Sequence, residues 1–544
     1  MFARVKKSGK YQYLQLVENK REGEKVKQRV LITLGRIDKL NEKNEIEALI
    51  HSLSRFSEQT MLVLSGKRPP KASTLKIGPS LIFERLWKET GIQEALNKYL
   101  GDRKYGFNVE RVLFTTVLHR LMVSGSDRSC LRWKQEYKIG NSGNISLHHY
   151  YRGMAFLGQE IESPTKEAKL TTRRIKDKIE EELFYYQRDL FSTVEMIFFD
   201  TTSIYFEGEG GESIGQRGFS KDNRPDLKQM IVGVMLDNNG RPLCCEMWPG
   251  NTADIKTLIP IVEKARERFG IKRFCIVADR GMISRETLEY LEKPENNMLY
   301  ILGVRMRKVS EVKKEVLSRG GRYKEVHPES QNTKDPSPLK VKEVTLSGKR
   351  YIVCHNSRQA RKDASDRESI VKSLEEQLKQ GVKSLIGNKG YQRYLKVEKE
   401  SAWIDAEKIK AEERYDGKWV LRTNTNLSAE ETALRYKELW MVEHVFRDMK
   451  SILFTRPVYH QRDDTITGHV FCSFLALVLL RELENRMEKA GLEFHWKEIR
   501  QDLQALQEIT IKEKNRQILI RTECQGICGK VFKAVGVALP QVIQ

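Results

Sequence analysis

Two aspartates each follow a short apolar run that is typical of a buried strand. Asp200 ends the run MIFFD, and Asp279 ends the run FCIVAD. If these strands are parallel neighbours, both carboxylates reach the same edge of a sheet, where ligands bind in open α/β folds. Hard oxygen ligands of this kind suit Mg²⁺ or Mn²⁺. The alternative for either residue alone is that its side chain caps a strand or the following turn.

A third set of polar side chains lies on a predicted helix. Tyr436, Glu443 and Lys450 are spaced seven residues apart, which returns them to nearly the same helical face. Trp440 and Arg447 fall on the same stripe. A stripe of this mixed composition indicates a site, whereas the alternative is an exposed i,i+4 ion pair between Glu443 and Arg447, which contributes little stability.

A glycine-rich loop at residues 208–226 lies between the two aspartates. It lacks G-K-[ST] and does not open a helix, so it does not predict a nucleotide phosphate cradle. We expect it at the rim of the site, where Lys221 and Arg224 either contact DNA or remain solvated loop charges. The pair Cys524 and Cys528 lacks two further ligands at zinc-finger spacing, and the eight cysteines are interpreted as reduced thiols, mostly in cores.

The whole chain is basic but mixed in charge. Its 544 residues include 96 Lys and Arg against 74 Asp and Glu, a net charge of +22. This balance favours a folded protein with a polyanionic partner, while an acidic substrate or a membrane surface remains open on charge alone. The longest apolar run, residues 470–480, is shorter than the roughly 20 residues of a membrane span, so we expect a buried helix and no membrane anchor. No secretory signal is visible, which favours a cytoplasmic protein.

The texture of the sequence predicts a multidomain α/β protein. Alternating polar and apolar residues at the N-terminus indicate paired strands. Apolar residues at steps of three and four follow, which is typical of helices, and β-branched runs begin abruptly near Val194. The predicted segments are a β-hairpin and helix module (1–64), a linker (65–77), an all-helical DNA-binding region (78–193), the first part of a mixed sheet (194–296), a β-rich insertion with a helix (297–418), the second part with the Glu443 helix (419–490) and a C-terminal helical tail (491–544).

These motifs together resemble bacterial insertion-sequence transposases of the DDE type, in the insertion-sequence-four class. That class carries a Y-x2-R-x3-E-x6-K signature, which Tyr436, Glu443 and Lys450 match, with Leu439 in place of the Arg. Arg447 and Arg435 are candidates to replace it. The similarity spans about residues 75 to 485 and includes the segments FDTTSIYFEG, WPGNTADIKTLIPIV, VADRGMIS and RPVYHQRDDTITGHVFCSFLAL.

The resemblance implies a ribonuclease H-like catalytic core interrupted by the β-rich insertion. Asp200, Asp279 and Glu443 would be catalytic and would hold two Mg²⁺ or Mn²⁺ ions, with Asp200 bridging them. Tyr436 and Lys450 would hold DNA phosphates beside the scissile bond. Trp440 would stack on a displaced base or pack in the core.

The function that the resemblance implies is DNA transposition. The enzyme would bind the terminal inverted repeats of its element, cut at the ends and join the 3′ ends to target DNA, as a homodimer on paired ends and without a nucleotide cofactor. Two alternatives stay open: a ribonuclease H-like nuclease without strand transfer, and a non-catalytic DNA-binding derivative of a transposase.

Overall fold

The computed structural model describes most of the chain, and two compact units are distinguished within it. Unit 1 comprises Met1–Glu89, Lys104–Tyr150 and Glu482–Gln544, and unit 2 comprises Thr90–Arg103 and Tyr151–Arg481. The described residues are 2–22, 25–42, 45–46, 48–49, 71–101, 103–161, 173–186, 194–330, 335–380, 393–398, 401–513 and 516–543. The predicted segment boundaries are not the boundaries of these units, because the helical region 78–193 contributes helices to both.

The N-terminal module in unit 1 is an antiparallel sheet. Its described strands are β1 (Phe2–Ser8), β2 (Tyr11–Glu22) and β3 (Lys25–Arg36), in that order, followed by α1 (Ile37–Glu42). The predicted hairpin corresponds to β2 and β3, and β1 adds a third strand. The helix predicted over residues 44–56 lies largely outside the described residues.

A second sheet in unit 1 changes two of the predicted segments. Part of the predicted linker is β4 (Lys71–Lys76), which pairs with β16 (Gln507–Glu513), and β16 pairs with β17 (Arg516–Arg521). The C-terminal segment is therefore not purely helical, because alternating residues such as Ile509 and Ile511 bury one side of a hairpin. The remaining unit 1 helices are α2 (Gly78–Glu89), α4 (Val109–Met122), α5 (Asp127–Trp133), α15 (Trp496–Ala505) and α16 (Cys528–Val535).

Unit 2 is organised around one mixed sheet of nine strands within the described residues. Their spatial order is β10-β11-β12-β15-β9-β8-β5-β6-β7. The strands are β5 (Met196–Tyr205), β6 (Gln229–Asp237), β7 (Pro242–Pro249), β8 (Cys275–Ala278), β9 (Leu299–Val304), β10 (Lys324–His327), β11 (Leu339–Leu346), β12 (Lys349–His355) and β15 (Lys418–Thr423). A separate hairpin pairs β13 (Leu395–Glu398) with β14 (Ser401–Ile404).

Five of these strands fit a ribonuclease H-like core. β5, β6 and β7 are antiparallel, while β8 and β9 run parallel to β5 on its other side. The predicted insertion began at residue 297, but β9 lies within the core next to β8. The strands that follow do not form a separate sheet either, because β15 pairs with β9 and continues the same sheet through β12 and β11 to β10.

Helices cover the sheet of unit 2. The described helices are α3 (Ile92–Leu100), α6 (Leu147–Gly158, from Tyr151 onward in this unit), α7 (Ile175–Tyr186), α8 (Leu258–Phe269), α9 (Arg285–Glu292), α10 (Ser357–Gln380), α11 (Ala406–Glu413), α12 (Ala429–Lys437), α13 (Trp440–Ser451) and most of α14 (Asp463–Lys489). An apolar core joins α7, α8 and α9 to alternate residues of the sheet such as Ile197, Phe199 and Ile276. Helix α13 also contacts β5 and β6.

Helix α14 contains the apolar run of residues 470–480. It is long and apolar enough to cross a membrane, and 83% of its most apolar window is buried inside the protein. The core helix of a soluble protein passes the same test, so this is weak evidence for a membrane span. Val470 and Leu480 are almost fully buried, which confirms the predicted buried helix.

Candidate active site

Asp200 and Asp279 lie side by side on neighbouring parallel strands. Phe199 of β5 is in register with Ala278, the last residue of β8, and each aspartate is the next residue of its chain. Asp200 does not end its strand as predicted, because β5 continues along β6 to Tyr205. It lies at the point where β8 stops, so the edge of β5 that faces β8 is open there.

The Asp200 carboxyl is electrostatically strained. Its pKa is raised to about 6, chiefly by burial and also by the negative charges of Asp279 and Asp254, although Lys221 and the Thr201 amide act in the opposite direction. The carboxylates of this site therefore carry an excess of negative charge. A divalent cation would offset this excess, so the donor set fits Mg²⁺ or Mn²⁺.

Tyr436 orients the second aspartate. Its hydroxyl donates a hydrogen bond of 2.8 Å to Asp279 Oδ1, and burial followed by the charge of Asp279 raises the pKa of Tyr436. The ring reaches this position because β9 carries a glycine there: a Cβ on Gly303 would lie 2.4 Å from the tyrosine oxygen. In this structure the Tyr436 hydroxyl is engaged by the Asp279 carboxylate, and its predicted contact with DNA stays a prediction.

The predicted stripe is divided between two helices. α12 ends at Lys437 and α13 begins at Trp440. The join is tightened by i,i+3 bonds, in which the amides of Leu439 and Val442 donate to the carbonyls of Tyr436 and Leu439. Such turns advance by about 120° per residue instead of 100°, so the two residues of the join change the angle between Tyr436 and Glu443 by only about 40°.

The side chains of α13 are placed as follows. Glu443 and Arg447 are exposed, and Trp440 is 58% exposed, so the core-packing alternative for this tryptophan is wrong. Leu439, at the position of the signature Arg, is buried with 8% exposure. Arg435 donates to Glu438 at 3.0 Å.

The described residues contain one group of three metal-ligating side chains whose ligand atoms lie within 4.8 Å of one another, and it is not the predicted triad. It consists of Glu180, Cys244 and Glu246. Arg268 contacts Glu180 at 2.7 Å and Glu246 at 3.1 Å, and Lys176 Nζ lies 3.6 Å from Glu246. Burial also raises the pKa of the Cys244 thiol. We therefore interpret this group as a buried ion-pair network; the structure brings Asp200 and Asp279 together without gathering Glu443 as tightly.

Asp254 is a member of the site that the sequence reasoning missed. Its Oδ1 accepts a 2.7 Å hydrogen bond from the Thr201 hydroxyl, and its Oδ2 lies 3.2 Å from Lys221 Nζ. Lys221 also donates to the Thr201 carbonyl at 2.7 Å and to its hydroxyl at 2.9 Å. The sequence feature that could have identified Asp254 is its place in the family-like segment WPGNTADIKTLIPIV.

The loop between β5 and β6 is fastened to α13 and the segment after it. Lys450 Nζ donates to Asp222 Oδ1 at 2.9 Å, and Arg456 Nε lies 3.4 Å from the other oxygen of that carboxylate. Burial lowers the pKa of Lys450. Lys450 thus holds the loop in this structure, and its predicted phosphate contact stays a prediction.

Arg224, on the same loop, makes a more exposed pair. It donates to Asp226 Oδ2 at 2.9 Å, and its guanidinium lies 5.5 Å from the ring centre of Tyr205. Phe219, between this pair and the glycine-rich part of the loop, is 82% exposed. The loop is therefore pinned at Asp222 while its outer side chains face solvent.

Two family models match parts of this chain. Residues 195–479, more than half of the chain, match the family described as "Transposase DDE domain", and residues 3–67 match "IS1634 family transposase, N-terminal domain". No curated protein matches the sequence. A cryo-EM structure of the piggyBac transposase synaptic complex with hairpin DNA is similar at 11% identity, covering 78% of this chain and 76% of that chain, with a TM-score of 0.39.

The mixed sheet with two adjacent acids at the end of β8 is the framework of a metal-dependent nucleic acid enzyme. The chain belongs to the transposase DDE domain family, and it is therefore a DNA transposase of the kind that cleaves DNA with divalent metal.

Proposed function

We propose that this transposase binds the terminal inverted repeats of its own insertion sequence, cuts at the element ends and joins the freed 3′ ends to target DNA. The observation that supports this most is the pairing of Asp200 and Asp279 on parallel strands, with Tyr436 holding Asp279. We also propose membership of the insertion-sequence-four class, with the signature Arg replaced at Leu439. Arg447, exposed one turn after Glu443, is the better-placed substitute, because Arg435 is paired with Glu438.

The residues take separate roles in this proposal. Asp200, Asp279 and Glu443 hold two Mg²⁺ or Mn²⁺ ions, which when bound activate the attacking oxygen and stabilise the leaving one. Glu443 completes the set by a movement of its exposed side chain or of α13 toward the strands. Lys450, Arg447, Lys221 and Arg224 supply positive charge along the DNA, and Trp440 stacks on a base displaced near the cut.

The assembly and setting are also proposals. We expect a homodimer on paired element ends, which acts in the bacterial cytoplasm on the nucleoid, without a nucleotide cofactor or a membrane. The DNA that flanks the coding region supplies the substrate, because inverted repeats outside it, bounded by short direct duplications, define the ends to be tested.

A strand-transfer assay with labelled element ends, Mg²⁺ and a plasmid target tests the function. Joined product is expected; nicking alone would indicate a nuclease, and a shifted but uncut complex a DNA-binding derivative. The Asp200→Ala variant should lose cleavage and joining but retain end binding in EDTA, whereas the matched Asp226→Ala variant on the exposed loop should keep all three. Cleavage by Asp200→Ala in Mg²⁺ would contradict the assignment.

A further inference from the structure

Lys221 is held at both ends of its side chain beside the catalytic strands. Its backbone amide donates to Ser203 Oγ at 2.8 Å, and its ammonium donates twice to Thr201, the residue that follows Asp200. A lysine side chain has four rotatable bonds, and this one is fixed at the backbone and at the tip. Its side chain is 27% exposed, so part of it faces solvent.

Asp254 is the carboxylate that faces this ammonium. It begins the short 3₁₀ turn Asp254–Lys256 that precedes α8, and its carbonyl accepts bonds from the amide and the hydroxyl of Thr257 at 3.1 and 2.7 Å. Its side chain is fixed by the Thr201 hydroxyl. It also borders the segment after Asp279, because a Cβ on Gly281 would lie 3.5 Å from Asp254 Oδ2.

The contacts of Lys221 differ from those of the other cations on its loop. Arg224 pairs with Asp226, and Lys228 pairs with Glu209 at 2.6 Å, through carboxylates of the same exposed loop. Asp254, the acid that pairs with Lys221, belongs to a different segment. It contacts Thr201 on β5 and borders Gly281, which follows β8. The ammonium donates to the carbonyl and the hydroxyl of Thr201, and it forms an ion pair with Asp254 at 3.2 Å. Because the Lys221 side chain is partly exposed, an incoming anion can also reach it.

We propose that Asp254 is a positioning residue. Together with Thr201, it holds the Lys221 ammonium where that group can contact a DNA phosphate bound beside Asp200 and Asp279. The ligand class is a phosphodiester, to which an ammonium donates as a compact point charge. This inference rests on the proposed function, because it needs element ends that bring a phosphate to the site. It assigns to Asp254 a role outside the three metal-binding acids.

The test is a cycle between protein variants and DNA in which the scissile phosphate is an uncharged methylphosphonate. Binding is measured in EDTA, so no cleavage is required. Lys221→Met should weaken the binding of unmodified ends roughly 10-fold, the size of one charge-assisted hydrogen bond, and should change the binding of methylphosphonate ends less than about 2-fold. Asp254→Asn retains the acceptor for Thr201 and removes the charge, so it should weaken only the same phosphate contact, and the double variant should bind no worse than Lys221→Met.

Matched variants separate positioning from a structural role. Lys228→Met, on the same loop, should affect both DNAs equally. Lys221→Arg keeps the charge and should recover part of the phosphate-dependent binding. In single-turnover cleavage with Mg²⁺, Asp254→Asn should slow the reaction even at saturating protein, while its thermal unfolding in EDTA stays within a few degrees of wild type.

Two outcomes would overturn the proposal. One is additivity, in which Lys221→Met weakens both DNAs alike; the other is an Asp254→Asn variant that binds and cuts as wild type does. Failure of the proposed function is distinguishable, because then the wild-type protein itself neither binds nor cuts the element ends.

Discussion

At the scale of single residues, the strained group is Asp200. Its pKa is raised to about 6, because it is buried and faces two other carboxylates. In an unfolded chain an aspartate titrates near 4. Between these pH values the folded protein binds the extra proton, so the free energy of unfolding falls as the pH rises. Above about pH 6 the charged Asp200 destabilises the fold to its full extent.

This sign gives a prediction for the metal-free protein. Asp200→Asn removes the charge, so in EDTA it should be more stable than wild type by about 1–3 kcal/mol at neutral pH, with the difference vanishing below about pH 4. Urea unfolding at a series of pH values measures it. Asp226→Asn is the control and should give no stabilisation, because Arg224 lowers the pKa of Asp226. A gain for Asp200→Asn that does not change with pH would contradict the explanation.

Tyr436 is predicted to act through Asp279. Tyr436→Phe keeps the ring against Gly303 and removes only the hydrogen bond to the carboxylate. Loss of a partner that orients a metal ligand typically costs 10- to 100-fold in metal affinity or activity, and we expect roughly that loss in the Mn²⁺ titration of end cleavage. Tyr323→Phe, in the second apolar core of unit 2, should leave the titration unchanged. If both variants behave alike, Tyr436 does not position Asp279.

The residue types of the site were predictable to a limited degree. Asp279 could be placed because an apolar run ends at it, and its neighbour Asp200 because the two runs read as parallel strands. Asp254 could not, because its importance comes from contacts with Thr201 and Lys221 that are 53 and 33 positions away in a fold the local pattern does not encode.

At the scale of elements, the join between α12 and α13 was not predicted from the sequence. Helical periodicity assumes a constant rotation of about 100° per residue, and the sequence ALRYKELWMVEHV contains no proline or glycine to signal a change. The capping box of Ser428 and Glu431 at the start of α12 was predictable and is present. At the join the Leu439 side chain is buried, while the neighbouring Trp440 side chain is exposed.

The loop between β5 and β6 should depend on Asp222. Asp222→Ala leaves Lys450 and Arg456 without their shared carboxylate in a mostly buried place, and we expect a loss of about 2–4 kcal/mol in the free energy of unfolding. Asp226→Ala breaks an exposed pair on the same loop and should cost at most about 1 kcal/mol. Denaturant unfolding of the two variants makes the comparison, and equal losses would show that Asp222 does not fasten the loop.

At the scale of the whole molecule, we expect the net charge of +22 to govern DNA affinity. A protein that contacts 6–10 phosphates loses roughly 10³- to 10⁵-fold in binding constant between 50 and 200 mM salt, and we expect a fall in that range. The salt titration is measured by mobility shift with element ends in EDTA. Asp200→Ala should give the same slope, because the acids contribute to cleavage and not to the release of counterions. A binding constant insensitive to salt would contradict an electrostatic role for the surplus charge.

The extension of the central sheet has a consequence for aggregation. Had the sheet ended at β9, the almost wholly buried strand LYILGV would present unpaired amides and carbonyls to other chains. Pairing with β15 covers that edge and moves the boundary out to β10, a strand of four residues that carries Lys324 and Glu325. A short charged strand is a poor template for association. The strands β10, β11, β12 and β15 therefore protect the edge of the central sheet, and a core trimmed of them should precipitate before it could be assayed.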